Sequence, residues 1–312
     1  MSPPIKACAL VGHLADPSIA EAAQAALAAL VRHGIEVLYA SEEPVPAQFG
    51  DDPASTPARR AVALPGARAV PRAELPLHVQ CVVSIGGDGT LLQAARLLAG
   101  RDIPLLGINR GRLGFLTDVL PADIGSGIDA LVEGRCTPEQ RPLLQARLHW
   151  ADGASARLLA LNDVVILRRE SGRMFDYQTT VDGRFVNAHR GDGLVVATAT
   201  GSTAYALSCG GPIVDPRLNV LVMAPICPHT LSDRPILVPG DAHIEVRSTE
   251  RGAAQAEVTC DGVRLGDMQP GDRLEVAASG AAVTLLHPPG YDYFRLLRSK
   301  LHWGRGEARQ ER

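Results

Sequence analysis

The sequence predicts a two-part chain: a doubly wound α/β domain followed by a β-sandwich. Three observations carry this. Short, unbroken apolar runs alternate with helical periodicity over residues 1–120, as buried parallel strands and their crossover helices do. From about residue 140 the apolar runs are instead punctuated by turn dipeptides, which marks antiparallel pairing. The end, YDYFRLLRSKLHW, returns to helical spacing. The expected boundaries are 1–120 for the α/β domain, 121–286 for the β-rich domain, and 287–312 for a terminal helix and tail.

Residues 5–12 (IKACALVG) read as a first buried strand. Asp16-Pro17 reads as a helix N-cap followed by proline at the first helical position. Ile19, Ala23, Ala26, Leu30 and Val31 follow at helical spacing, and Gly34 fits the stop. Residues 35–40 read as a second strand, completing a βαβ opening. Residues 41–76 hold seven prolines and few periodic apolar positions, which predicts a long loop, flap or disordered insert. Residues 79–85 (VQCVVSI) are a third strand that turns through Gly86-Gly87-Asp88-Gly89 into a helix, Thr90 to Leu98, stopped by Gly100. Residues 103–108 are a fourth strand, and 121–133 are helix-like. This first part is Rossmann-like in plan. In the second part Asp152-Gly153, Asp182-Gly183, Asp261-Gly262, Pro270-Gly271 and Ser279-Gly280 each mark an expected tight turn. Tyr291, Phe294 and Leu297 share a helical face, and GRGEARQER reads as a polar tail.

Composition narrows the function. The net charge is −3 over 312 residues and aromatics are 4%, so neither a basic field nor stacking platforms advertise nucleic acid. No apolar run reaches the length of a membrane span, and the first residues lack a signal-peptide pattern. The six cysteines form no C-x-x-C pair and no zinc-ligand spacing. A cytoplasmic protein without a membrane partner or a protein-built metal centre is expected. The only lysines are Lys6 and Lys300, and no Gly-Lys-Ser/Thr occurs. A Walker A loop is therefore absent, and phosphoryl chemistry would need another cradle.

Three constellations could carry chemistry. Gly86-Gly87-Asp88-Gly89-Thr90 joins a buried strand to a helix. Glycines allow close backbone approach to a phosphate, and a helix N-terminus offers unpaired N–H groups. An aspartate at that tip makes sense if it meets a cation or accepts a proton. Leu92 stands where a dinucleotide fingerprint needs its third glycine, which disfavours an oxidoreductase. Asn162-Asp163 interrupts an apolar strand, LALNDVVIL; a buried polar pair must be hydrogen-bonded, although a strand end or bulge also fits it. The densest block is RGDGLVVATATGSTAYALSCGGPIV at 190–214. Its glycines and hydroxyls can follow a sugar–phosphate chain. Ser202 as a hydrolase nucleophile lacks the G-x-S-x-G elbow, since Thr200 and Ala204 flank it. His229 reads as structural.

GGDGT at 86–90, INRGRLGFLTD at 108–118, LNDVV at 161–165, DGLVVATATGSTAYALSCGGPI at 192–213 and PHTLSDRPI at 228–236 together resemble the NAD kinase family of the bacterial type, and an HP..Y.YF pattern at 287–294 extends the likeness. The GGDG turn alone is shared with diacylglycerol and sphingolipid kinases and more loosely with phosphofructokinases; the TGSTAY block with the Asn-acidic pair is much more specific. The resemblance implies an α/β domain and a β-sandwich, with the chain end returning to the first. It implies transfer of the γ-phosphoryl group of ATP to the 2′-hydroxyl of NAD's adenosine ribose, with Mg²⁺ or Mn²⁺ and in a homodimer or homotetramer. Asp88 matches the essential aspartate, with Gly87 and Gly89 at the phosphates and Phe115 lining the nucleotide pocket. Asn162 and Asp163 match the pair that holds ribose hydroxyls. Thr203, Ala204, Tyr205 and Ser208 match the wall of the dinucleotide site. Asp192, with a neighbouring subunit, matches a nicotinamide-side contact, and Arg190 and Arg173 match phosphate-reaching positions. Ala199, Gly191 and Val263 depart from residues common in the family: proline, serine and glutamine. A lipid kinase and a non-catalytic NAD(P) sensor are the alternatives. The first would want an apolar groove or basic membrane face, and the second would not need an intact Asp88.

Overall fold

The computed structural model describes residues 5–44, 59–61, 63–111, 114–169, 174–230, 232–249 and 255–301. Arg173, the tail GRGEARQER and most of the proline-rich middle of 41–76 lie outside the described residues. The chain divides into two compact units, Met1–Gln140 with Val283–Arg312, and Arg141–Ala282.

The first unit runs β1 (Ala7–Gly12), α1 (Pro17–Arg32), β2 (Glu36–Ala40), β3 (Glu42–Pro44), β4 (Arg59–Ala61), β5 (Arg68–Val70), α2 (Leu75–His78), β6 (Cys81–Gly86), α3 (Asp88–Leu98), β7 (Leu105–Asn109) and α4 (Ile124–Val132). Its parallel sheet is ordered β5-β2-β1-β6-β7. Leu285 and Leu286, from the returning chain end, pair in parallel with Leu105 and Leu106. The Asp16 side chain caps α1 by accepting from the Ser18 amide. Ile19, Ala23, Ala26 and Leu30 of α1 join Ile128 and Leu131 of α4 on the face shown by Cys8, Leu10, Val83, Ile85 and Ile108. Val31 is instead 53% exposed: it lies off the buried stripe. A Cβ on Gly107 would lie 2.9 Å from Leu91 of α3, which places α3 on the opposite face. The sheet is thus wound on both sides. Chain order reverses between β1 and β6, so the crevice outside their carboxyl ends receives the glycine turn that follows β6.

Two sequence expectations change here. The segment 41–76 is not featureless where described. Val70 and Leu75 are buried, which draws β5 onto the edge of β2 and starts α2, with proline in the first turn of α2, where it is tolerated. The helix α4 belongs to the first unit, which ends at Gln140 rather than 120, because its apolar stripe completes the first core.

The second unit holds β8 (Thr137–His149, from Arg141 onward), β9 (Ser155–Ala160), β10 (Asp163–Arg168), β11 (Phe175–Val181), β12 (Arg184–Gly191), β13 (Gly193–Thr198), α5 (Tyr205–Ser208), β14 (Val220–Ile226), β15 (Ile236–Pro239), β16 (Ile244–Ser248), β17 (Ala256–Cys260), β18 (Val263–Met268) and the first part of β19 (Arg273–His287). The helix α6 (Tyr293–Leu301) then closes the first unit, burying Leu296 and Leu297 while Phe294 stays exposed. One antiparallel sheet is ordered β15-β14-β13-β10-β17-β18. The other pairs β12-β11-β16 with the start of β19, and β8 pairs with β9. Side chains from both sheets share one core, including Leu148, Val164, Phe175, Tyr177, Val196 and Val246, so the unit is a sandwich. Asp182-Gly183 and Asp261-Gly262 turn hairpins with positive φ at both residues, as two-residue loops require. Ser279-Gly280 is no hairpin. It lies inside β19, where positive φ at Gly280 kinks the strand.

Tyr177 is buried and its hydroxyl donates to the Gly193 carbonyl at 2.8 Å. Tyr177→Phe is expected to lower stability by about 0.5–1.5 kcal/mol, read as a shift of the urea unfolding midpoint.

Candidate functional site

In the first unit the site grows from the end of β6. A Cβ on Gly86 would lie 2.3 Å from Thr90 Oγ1, so only glycine lets the strand fold this tightly onto the helix. Gly87 is the N-cap of α3, and its carbonyl accepts from Thr90 and Leu91. The helix therefore begins at Asp88, two residues earlier than the sequence pattern implied, and Asp88 and Gly89 form its first turn. The Asp88 carboxylate accepts from the amides of Phe115 (2.8 Å) and Leu116 (3.0 Å) and from Thr117 Oγ1 (3.3 Å). Thr117 is steadied in turn by Asn109 Nδ2 at 2.8 Å. A Cβ on Gly114 would stand 2.0 Å from Asp88 Oδ1. Gly87, Asp88, Gly89 and Phe115 are thus brought together, with Asp88 half-buried and held by neutral donors.

The second unit carries the other cluster. Asn162 and Asp163 stand at the start of β10, and the carboxylate of Asp261 spans the chain there. It accepts from the amides of Leu161 (2.8 Å), Asn162 (2.8 Å) and Asp163 (3.1 Å). Burial, with the charge of Asp261 added to it, pushes the Asp163 carboxyl up to about 7, against a backbone hydrogen bond from Tyr205 that lowers it. Asn162 Oδ1 is buried without a hydrogen-bond partner, which leaves an acceptor aimed at nothing the protein supplies. The segment 199–214 packs Ala199, Ala206 and Val214 on the outer face of β10, β13 and β14. A Cβ on Gly201 would lie 2.1 Å from the Asn162 carbonyl. This close approach brings Thr203, Ala204 and Tyr205 to the Asn-Asp pair, and Ser208 ends α5 exposed.

Other expected residues divide. Asp192 is held by Arg168 Nε at 2.5 Å, near enough to Tyr205 for its charge to help raise the phenol's pKa, though burial and the Cys209 and Cys227 thiols contribute more. Arg190 is engaged with Asp176 at 3.5 Å. Arg173 is outside the described residues. Ser202 is fully buried and bonds to Ala199 and Val214, so it braces the turn and cannot meet a substrate. Among the described residues, no cluster of three or more His, Cys, Asp and Glu could hold a metal, and no helix is long and apolar enough to cross a membrane.

Comparison with known proteins gives these clusters a context. Residues 8–136 match the pattern of the ATP-NAD kinase N-terminal domain, and residues 161–287 match that of the ATP-NAD kinase C-terminal domain. The chain belongs to the ATP-NAD kinase family. It is 41% identical over 307 residues to an NAD kinase of Nitrosococcus oceani, covering 98% of this chain and 99% of that one. It is 41% identical to an NAD kinase of Halorhodospira halophila, covering 97% and 94%. An Archaeoglobus fulgidus NAD kinase solved in complex with ATP superposes with a TM-score of 0.69 at 28% identity, covering 95% of this chain and 98% of that one. Yeast NADH kinase, solved with NADH, shares the fold with a TM-score of 0.84 at 23% identity, covering 98% and 89%. Membership makes the chain a kinase and sets aside the lipid-kinase alternative.

Two residues central to the geometry escaped the sequence reading. Asp261 read only as half of a hairpin dipeptide; that its side chain turns back onto β10 depends on register 100 residues away. Gly114 stood unremarked inside a motif.

Two outcomes follow for the folded protein. Gly114→Ala should displace the Asp88 carboxylate and break its bonds to Phe115 and Leu116, seen as loss of those amides' protection from exchange. For Asp163, the folded state keeps a proton that the unfolded chain releases near pH 3.9. Its contribution to stability therefore falls as pH rises from about 4 to about 7 and levels off above. Asp163→Asn should remove that decline, measured as urea stability against pH.

Proposed function

We propose that the chain transfers the γ-phosphoryl group of ATP to the 2′-hydroxyl of the adenosine ribose of NAD, giving NADP and ADP. The observation that carries the reading is the unpartnered, buried Asn162 Oδ1 beside the buried carboxyl of Asp163. A sugar diol supplies hydroxyls that can both donate and accept, and a site built to bond hydroxyls rejects analogues that lack them. Thr203, Ala204, Tyr205 and Ser208 line the path of the dinucleotide, Asp192 serves its nicotinamide side, and Arg190 and Arg173 serve phosphate.

In the transfer, a bond forms between the ribose 2′-oxygen and the γ-phosphorus as the bond from that phosphorus to the β–γ bridging oxygen breaks. The 2′-proton passes to the Asp88 carboxylate. The amides of Phe115 and Leu116 fix where that carboxylate stands, so the proton acceptor is oriented before the substrate arrives. Gly87 and Gly89, at the first turn of α3, let phosphate oxygens approach backbone N–H groups. A divalent cation, Mg²⁺ or Mn²⁺, would arrive with the phosphates of ATP and would supply neutralisation of their charge. Such a cation keeps several waters and needs few protein ligands. Asp88 Oδ2, which accepts from one amide only, retains capacity for it. The protein is proposed to work in the cytoplasm as a homodimer or homotetramer.

The test is NADP formation from NAD, ATP and Mg²⁺, read with an NADP-specific dehydrogenase. Wild type should produce NADP, and Asp88→Asn should lose about 10²–10⁴ in turnover while still binding NAD. Unchanged turnover would remove Asp88 from the chemistry, and no NADP from folded wild type would overturn the reading. Asn162→Ala should raise KM for NAD far more than KM for ATP; equal effects would contradict its role at the ribose. A hydroxyl held by Asp163 favours the carboxylate, so NAD affinity should weaken as pH falls below about 7, by at most about tenfold per pH unit. Titration calorimetry across pH, with Asp163→Asn as the pH-flat control, checks this.

A further inference from the structure

Two motifs far apart in sequence meet at one buried imidazole. His287, near the end of β19, has 3% of its side chain exposed. Its Nδ1 bonds to Asp118 Oδ2, and Glu139 Oε2 lies 2.9 Å from its Nε2. Tyr291 stacks on the ring, with centroids 3.9 Å apart and planes 14° apart. Burial alone would lower the pKa of His287, but the two carboxylates outweigh it and hold the value above that of an ordinary imidazole. A neutral ring could donate to only one carboxylate and would turn a lone pair on the other. A protonated ring bonds to Asp118 through Nδ1 and sets its positive charge beside Glu139, an ion pair rather than a second hydrogen bond.

Asp118 is the residue after Thr117, which bonds Asp88. The amides of Asp118 and Val119 donate to the Gly107 carbonyl at 3.2 Å, and Asn109 N donates back to Val119. The loop therefore has two anchors. One is the main chain of β7, and the other is the Asp118 side chain held by His287. Between these anchors and Asp88 lie only Phe115, Leu116 and Thr117, the three donors to its carboxylate.

We propose that His287 is a positioning residue for Asp88, fixing through Asp118 the loop whose amides orient the carboxylate. The inference rests on the proposed function for its catalytic consequence, but its structural half stands alone. This gives the return of the chain end a task beyond closing the sheet: the HP..Y pattern supplies the clamp and INRGRLGFLTD the part clamped. His287 touches no reacting atom, so its removal should lower kcat and leave the binding of either substrate nearly unchanged.

The experiment compares wild type, His287→Gln and Glu139→Gln. The first leaves a neutral amide that serves one carboxylate; the second keeps the histidine and removes one charge, and is the milder variant should the first fold poorly. Amide hydrogen exchange at Phe115 and Leu116 should quicken on the order of tenfold, with the β6 amides unchanged. Turnover should fall about tenfold to a hundredfold, with KM for ATP and NAD within about twofold. A merely structural histidine would instead change exchange evenly across the first unit. Unaltered exchange at Phe115 and Leu116 in both variants, or quickened exchange with unchanged kcat, would overturn the proposal. Should wild type make no NADP, the functional reading fails, and the exchange data still decide whether His287 holds the loop.

Discussion

Both candidate clusters depend on one kind of contact: an aspartate carboxylate bonded to a run of backbone amides. Asp88 takes Phe115 and Leu116, and Asp261 takes Leu161, Asn162 and Asp163. A hydrogen bond to a charged acceptor is stronger than a neutral one, typically about 1.5–3 kcal/mol net. Several amides converging on one carboxylate fix a short stretch of main chain more tightly than packing would. In each unit the stretch so fixed holds the residues argued to meet substrate. The two clamps nevertheless differ in direction. Asp88 is itself the functional group, and the loop is arranged around it. Asp261 is the support, and the groups that matter are those its amide partners carry.

This difference explains what could be read in the sequence. Asp88 announced itself because the chemistry and its signal share one short segment, Gly86 to Thr90, between a strand and a helix. The alternation of β1, α1 and β2 was equally local: a cap at Asp16, an apolar stripe and a stop at Gly34. The hairpins at Asp182-Gly183 and Asp261-Gly262 were legible because two-residue loops demand positive φ. The side chain of Asp261 was not, because its partners come from a strand that only sheet register brings alongside. Ser279-Gly280 carried the same local signal as a hairpin, yet the strand continues through it, and dipeptide chemistry cannot tell a kink from a reversal. In 41–76, prolines hid β5 and α2, since their few buried residues, such as Val70 and Leu75, show no period. Ser202 illustrates the converse. A hydroxyl in a glycine-rich turn looks available until burial shows it spent on Ala199 and Val214.

Asp163 shows how the support tunes the functional group. Its carboxyl is buried, and the charge of Asp261 adds to the burial that raises it to about 7. Near neutral pH the pair Asn162 and Asp163 therefore offers a donor and an acceptor in either order. The amide has both, and the carboxyl exchanges one role for the other by losing a proton. A ribose diol, whose hydroxyls can donate to the carboxylate and accept from the Asn162 amide, fits such a pair better than a phosphate would, because a phosphate oxygen only accepts near neutral pH and would face carboxylate charge. The same argument makes Asp261 more than a brace. Replacing it with asparagine would keep an oxygen for the amides but remove the charge that helps hold the proton on Asp163, shifting Asp163 from two-way bonding toward acceptance alone. The clamp that shapes β10 thus also sets what β10 can recognise.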